Sequence, residues 1–457
     1  MDIHLSDPRH DRLARSIAER VAERGGRARY VGGAVRDHLL GLRIEDLDIE
    51  VIGLGPDDVH AAVGEVAKVS LVGSSFGVFK VHGAPIDVSL PRTERKVGRG
   101  HRGFEVEVDP HLPPERAAAR RDFTINAIAV DPLTDEVVDP FGGRADLDAR
   151  VLRHTSDQFR EDPLRVLRGM QFVARFGLAP APATVAVAAG IEPEGLAPER
   201  VFEEWSKLVR RGVAIGAGLE FLRATGWHHH TPELAALVGV PQDPEWHPEG
   251  DVWTHTGHVM DAFAAARLGD DEEDLVVGFA CLCHDLGKPA TTAWIDGRWR
   301  SPGHEAAGVP PTRAFIGSMT NQRGLADDVA RLVADHLKPD QLYQADSTPR
   351  AVRRLAQRVV RLDRLLRVAH ADRNGRPPAP DDGFPAADWL REQAAALDVA
   401  DRAPEPIVRG RDLIDLGLAP GPQFKRLLDA CFEAQLDGDV TSVDDGLALV
   451  RRLLDDI

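Results

Sequence analysis

Near residue 150 the spacing of apolar residues changes, and that change constrains the fold more than any other feature of the sequence. Before it, short β-branched runs alternate with helical stretches. Ala28 to Val31, Leu47 to Ile52, Ser70 to Leu71 with Val78 to Val81, and Ile86 to Leu90 read as strands. From about residue 155 apolar side chains recur every three or four positions, and no convincing strand follows until the end of the chain. Strands repeat every two residues and helices every 3.6, so an α/β first part and an all-α remainder are predicted. At 457 residues the chain exceeds one ordinary core. The run Arg376-Pro377-Pro378-Ala379-Pro380-Asp381-Asp382-Gly383 breaks any helix and reads as a linker before the tail.

Composition narrows the class. Hydrophobic content of 43% and charged content of 28% are those of a soluble globular protein, and no apolar run approaches the ~18 residues needed to span a bilayer. No membrane association is expected. The start, Met1 to Pro8, has neither the basic flank nor the apolar stretch of a secretory signal, and three cysteines cannot form a disulfide framework, so a cytoplasmic location is expected. A formal charge of -17 excludes indiscriminate nucleic-acid binding. Any RNA surface is therefore local. The stripe Arg350, Arg353, Arg354, Arg358, Arg361, Arg364 and Arg367 places most of its cations along one side of a helix and is one candidate, with a solvated face as the plainer reading.

Two motifs in the first part point to phosphate chemistry. Tyr30-Val31-Gly32-Gly33-Ala34-Val35-Arg36-Asp37 sets two glycines between a strand and a helix that ends near Gly41, where backbone N–H groups can approach a triphosphate. Ten residues on, Asp46-Leu47-Asp48 enters a strand whose period of two turns both carboxylates to one face. Such a pair can hold Mg²⁺ ions against phosphate oxygens; Asp87, in Pro85-Ile86-Asp87-Val88-Ser89, is a candidate third carboxylate. In this order the motifs resemble the head of class II CCA-adding tRNA nucleotidyltransferases and of the related bacterial poly(A) polymerases. Arg120-Arg121-Asp122-Phe123-Thr124-Ile125-Asn126-Ala127 matches that family's second head motif, and Asp139-Pro140-Phe141-Gly142-Gly143 is similar to the turn after it. Asp122 and Asn126, one helical turn apart, can reach a ribose hydroxyl, while Arg121 can neutralise phosphate. Gly33, Arg36 and Arg121 are the expected triphosphate ligands.

The segment Arg160 to Phe176 carries two stripes. Leu164, Leu167, Met170 and Val173 are expected in the core, and Asp162, Arg165, Arg168, Gln171 and Arg175 form a polar line. Cytosine and adenine both present an exocyclic amino donor beside a ring-nitrogen acceptor, whereas uracil and guanine do not. An Asp that accepts and an Arg that donates, one turn apart, therefore mimic a pairing edge that admits CTP and ATP. The resemblance implies that role for Asp162 and Arg165. Members of the family commonly carry Arg at the position of Gln171; glutamine can donate but cannot neutralise phosphate. The charged, glycine-rich stretch Pro91 to Phe104 resembles the flexible loop that CCA-adding members use for the A step. Ser74 and Ser75 stand where a poly(A) polymerase is expected to carry basic residues.

Further on, His255, His284-Asp285 and Asp372 follow the H…HD…D order, with His304 and His336 between the last two. Imidazole and carboxylate suit a divalent metal that activates water for phosphoester hydrolysis, and ligand type alone leaves Ni²⁺, Mn²⁺, Mg²⁺ and Zn²⁺ open. His228-His229-His230 reads as a loop. The resemblance implies a polymerase-β-like nucleotidyltransferase head (1–150), a helical neck with the base-selecting motif (151–240), an HD phosphohydrolase domain (241–375) and a helical, tRNA-binding tail (376–457). The expected activity is CCA addition from CTP and ATP, with phosphatase or 2′,3′-cyclic phosphodiesterase activity at the HD site. Partial A- or CC-addition, poly(A) polymerisation, and an HD hydrolase with a non-catalytic sensing head remain alternatives.

Overall fold

In the computed structural model, which describes residues 3–72, 77–96, 104–378 and 383–455, the alternating runs of the first part pair into one seven-stranded sheet. Its first five strands are β1 (Arg27–Val31), β2 (Leu47–Ile52), β3 (Val69–Val72), β4 (Val78–Val81) and β5 (Ile86–Ser89). Next come β6 (Arg92–Lys96) and β7 (Phe104–Val108), which form a separate antiparallel ladder, and then β8 (Ala129–Val130) and β9 (Val137–Val138). The sheet order is β3-β4-β5-β2-β1-β8-β9, with β2 and β5 parallel and the other pairs antiparallel. Leu47, Ile49 and Val51 are buried and Asp48 is exposed, as the period of two requires, but Glu50 is buried as well. The stretch 91–104 is thus a paired ladder at its flanks; residues 97–103, like Ser74 and Ser75, lie outside the described residues.

The chain divides into two compact units, Met1–Leu208 with Ala217–His230 and Val209–Gly216 with Thr231–Ile457. In the first, the helix Leu164–Phe176 ends at Gly177 in the left-handed region and buries Leu164, Leu167, Met170 and Val173. Gln171 is buried with them, only 1% exposed, so the polar line is not wholly solvated. Asp122 and Asn126 do not share an α-helical turn. Phe123 is extended and bridges to His154, and only Thr124–Asn126 form a single 3₁₀ turn. The fully buried Phe123 ring packs edge-on against Phe159 and Phe172, which holds the backbone extended there.

The second unit is built on the helix Asp271–Cys283, whose residues from Asp274 to Cys283 are all buried. A helix apolar all round belongs at the centre of a bundle, and Val252–Ala265, Arg323–Asp335 and Leu362–Asn374 pack around it. Among the described residues two elements depart from the all-helical expectation: in the first unit Ala179–Pro180 pairs parallel with Val151–Leu152, and in the second there is a hairpin. Ala293–Ile295 and Arg298–Arg300 form an antiparallel hairpin turned by Asp296 and Gly297, both at positive φ (51° and 80°). Asp-Gly between apolar runs is the sequence signal for that turn. The tail has its own small core of Val408, Leu413, Leu427, Cys431 and Val450.

The arginine stripe is neither one helix nor a free basic face. It falls on two helices, Pro349–Val359 and Leu362–Asn374, separated at Val360, whose φ is 66°. Six of its seven cations contact acids of the same unit: Arg350 and Arg354 meet Asp437, Arg358 meets Asp335, Arg361 and Arg364 meet Glu273, and Arg367 meets Asp274. Glu273 takes hydrogen bonds from both Arg361 and Arg364. The Arg364 bond and charge, with Arg361, hold its carboxyl at about 2 against desolvation. A depressed carboxyl stabilises the fold above its unfolded pKa and loses that contribution as pH falls through the folded value. Glu273→Gln is expected to lower stability at pH 7 by about 2–3 kcal/mol, with the gap from wild type closing between about pH 4.5 and pH 2; melting curves across that range check it.

Candidate active sites

The first site is assembled by strand register. Asp48 pairs with Val31 on β1 and with Asp87 on β5, so the turn after β1 and both carboxylates meet at one end of the sheet. Asp46 precedes β2 and is exposed beside them. The Asp48 carboxyl titrates above the usual range: desolvation raises it most, Arg121 opposes that, and the charges of Asp46 and Asp87 push it up again. Carboxylates crowded in this way are relieved by a cation, and the donor set, all oxygen, suits Mg²⁺.

Gly32 is the glycine that matters sterically. Its φ is 73°, and a Cβ there would lie 3.1 Å from the Arg121 guanidinium and 3.5 Å from the Asp48 carboxylate. Both groups therefore close on a bare backbone. Gly33, by contrast, abuts only Arg36. Arg36 is buried: it donates to Asn126 Oδ1 (2.6 Å) and Asp37 Oδ1 (2.8 Å) and lies over the rings of Phe172 and Phe176. Glu50, one pleat beyond Asp48, sits 3.6 Å from Arg120 and 4.0 Å from Arg121.

The neck motif adjoins through Asp122. Asp122 accepts from Asn126 Nδ2 (2.8 Å), from the Phe123 amide (2.8 Å) and from Arg168 Nε (2.7 Å). Burial raises its carboxyl, but Arg168 and Asn126 outweigh that and hold it below the usual range. Asp162 and Arg165 are half-buried, and each is held by other groups. Asp162 caps the helix at Leu164 N (3.1 Å) and accepts from Arg200 Nη2 (2.8 Å). Arg165 donates to the carbonyls of Gln158 (2.7 Å) and Arg120 (2.6 Å). Gln171 is buried with its amide nitrogen unbonded.

The second site gathers all six predicted ligands. His255 Nε2 lies 3.0 Å from Asp372 and 3.9 Å from Asp285 Oδ2; His284 Nε2 is 3.1 Å from Asp285 Oδ2 and 3.9 Å from Asp372. His304 Nε2 is 3.3 Å from Asp285 Oδ1 and 3.3 Å from His336 Nε2. Asp285 thus joins two groups, His255 with His284 and His304 with His336, each able to hold a metal ion. The tautomers follow from the backbone. His284, His304 and His336 each donate Nδ1–H to the carbonyl three residues earlier, of Cys281, Ser301 and Val333, so each Nε2 is left as a lone pair aimed inward. Two such lone pairs facing each other at 3.3 Å call for a cation or a proton between them. Burial and the neighbouring histidines lower His336 to about 4, so it is neutral at pH 7. The Nε2 of His284 is buried without a hydrogen bond, and Asp285 Oδ2 is met by the Lys288 ammonium at 2.7 Å.

Comparison with known proteins decides the family. Residues 28–153 match the family model of the poly A polymerase head domain, and residues 252–373 that of the HD domain. The multifunctional CCA protein of Stenotrophomonas maltophilia (strain R551-3) is 39% identical over 394 residues, covering 81% of this chain and 92% of that protein. That of Xanthomonas campestris pv. campestris (strain B100) is 39% identical over 420 residues, covering 87% and 95%. The chain belongs to the multifunctional CCA protein family. The Bacillus stearothermophilus CCA-adding enzyme in complex with CTP superposes with a TM-score of 0.65 at 27% identity, over 98% of this chain and 99% of that one. Among the described residues no helix is long and apolar enough to cross a membrane.

For this multifunctional CCA family member, sequence reading alone missed Gly32, Glu50, Arg200 and Glu249. Glu249 accepts from Nδ1 of His255 (2.8 Å) and of His247 (2.9 Å) and so orients the first HD histidine. Gly32 was legible as half of the Gly-Gly pair; Glu50 and Arg200 are far in sequence from what they hold, and Glu249, six residues before His255, stands in no motif. His228, His229 and His230 form a 3₁₀ turn outside the site, and Cys281 and Cys283 are buried thiols. Replacing Gly32 with Ala is expected to leave a folded protein whose nucleotide incorporation falls by about tenfold or more, because the added methyl pushes Arg121 off Asp48 and strains the turn; steady-state incorporation beside a thermal melt checks both halves.

Proposed function

We propose that this protein adds C, C and A to the 3′ end of tRNA, using CTP and ATP without a nucleic-acid template, and that its HD centre hydrolyses phosphoesters. The convergence of Asp46, Asp48 and Asp87 beside the Gly32 turn and Arg121 carries the first half. The RNA 3′ hydroxyl oxygen bonds to the α-phosphorus as the bond from that phosphorus to pyrophosphate breaks. Asp46 and Asp48 would hold magnesium, which would supply charge neutralisation for the attacking and leaving oxygens. Arg121 neutralises the triphosphate, and the backbone at Gly32 and Gly33 lets it approach. Arg36 and Asn126 brace the turn and the Asp122 carboxylate, which reads the ribose. Asp162 and Arg165 read the base edge, with Arg200 fixing the carboxylate and the carbonyls of Gln158 and Arg120 fixing the guanidinium. A rigid edge discriminates because the wrong base leaves a polar group unpaired.

Gln171 favours partial addition as a second reading, since this buried amide stands where relatives with a complete polar line carry a cation. Labelled CTP and ATP, supplied separately and together to tRNA transcripts ending before C, CC or CCA, separate the readings. Full addition is expected; ATP-only or CTP-only incorporation selects the partial enzyme, and no incorporation refutes both. Arg200→Ala is expected to lower discrimination against UTP and GTP by about tenfold, measured as the ratio of kcat/KM for correct and wrong nucleotides.

At the HD centre His255, His284, Asp285 and Asp372 are the proposed ligands of a first divalent ion, and His304 and His336, sharing Asp285, those of a second. Ni²⁺, Mn²⁺ or Mg²⁺ bound there would activate water for attack on phosphorus. Lys288, 2.7 Å from Asp285 Oδ2, and Arg376, bound to Asp372, offset the charge of the carboxylates. His284→Ala, or removal of divalent ions, is expected to abolish hydrolysis of nucleoside 2′,3′-cyclic phosphates; hydrolysis that persists in the variant refutes the assignment.

A further inference from the structure

Beside the HD ligands opens a recess of about 350 Å³, lined in part by Trp246, Trp299, Arg298, Arg300, Lys288 and Arg376. It is continuous with the cluster, because three of its walls touch the ligands. His304 lines it and lies 3.3 Å from Asp285 Oδ1, Lys288 Nζ lies 2.7 Å from Asp285 Oδ2, and Arg376 Nη2 donates to both oxygens of Asp372 at 3.2 and 3.3 Å. The volume is in the range of small-molecule sites.

The hairpin Ala293–Ile295 and Arg298–Arg300 supplies one wall and is tied to the centre at its base. Ser301, the next residue, accepts the His304 Nδ1 hydrogen bond through its carbonyl and shares a 2.8 Å hydroxyl bond with Thr292 before the first strand. Trp299 is braced by its cross-strand partner Trp294, with ring centroids 5.3 Å apart at 77°. Trp246, on the same recess, is 56% exposed. Trp246 is open and Trp299 partly so, and they stand among four cations, of which Lys288, Arg300 and Arg376 also contact carboxylates. A flat apolar face next to clustered guanidinium and ammonium groups matches a nucleotide: base on the ring, phosphate on the cations.

We propose that this recess is the substrate-recognition site of the hydrolase, binding a nucleoside phosphate with its base against Trp299 and Trp246 and its phosphate toward Lys288 and Arg376. The proposal rests on the phosphohydrolase reading of the centre and adds that the base, not the phosphate alone, determines affinity. Calorimetric binding of adenosine 2′-monothiophosphate and of the same sugar monothiophosphate without the base, to the full-length protein, tests it. The nucleotide is expected to bind more tightly than the base-free probe. Trp299→Ala is expected to weaken nucleotide binding about tenfold and Trp299→Phe to restore most of it, with melting curves reporting on folding. Equal affinity for the two probes, or a Trp299→Ala protein that binds as wild type does, overturns the base contact. Base-dependent binding in a protein whose hydrolysis survives His284→Ala would instead overturn the phosphohydrolase assignment and leave the recess standing, so the two failures are distinguishable.

Discussion

Asp48 and Asp87 face each other across two parallel strands, and their mutual repulsion is the constraint around which the first unit is arranged. A sheet does not place like charges in register without something to balance them. Here the balance comes from Arg121 on one side, and in the proposed reaction divalent cations would complete it. The surrounding choices follow: a glycine where Arg121 and Asp48 both press on the backbone, and Glu50 4.0 Å from Arg121. The same charge logic extends outward through Arg168, on the helix Leu164–Phe176, which links Asp122 to Glu204 on the helix Pro198–Arg211.

The HD centre combines two carboxylates, Asp285 and Asp372, with four histidines. Three histidines are tied by Nδ1 to the carbonyls of their own helical turns, so tautomer and direction are set before any ion arrives. The fourth is set by Glu249. Burial holds His336 neutral, which is the form that ligates. Among the buried atoms left without a hydrogen bond is the inward-facing His284 Nε2, for which a cation would be the partner.

Much of this was legible in the sequence because period and spacing carry it. The strands that hold Asp48 and Asp87 were readable from β-branched alternation, and the six HD residues from their order. The hairpin at Trp294 and Trp299 was not recognised: two three-residue strands give too little alternation to stand out in a helical region, although Asp296-Gly297 marks the turn. The arginine stripe misled for a different reason. Spacing shows which cations share a side, but Asp437, Asp335 and Glu273, which absorb them, are 23 to 91 residues away in sequence. Arg200 escaped notice likewise, since nothing local to it announces that Asp162 is its partner.

The central claim is that a fixed protein edge, Asp162 with Arg165, selects C and A at a site built on Asp48. The most direct measurement offers a tRNA transcript ending at the base before CCA to the enzyme with all four nucleoside triphosphates at equal concentration, and sequences the product ends. The account predicts ends that read CCA and stop. Unextended ends, tails of repeated A, or incorporation of U or G in proportion to supply would contradict it.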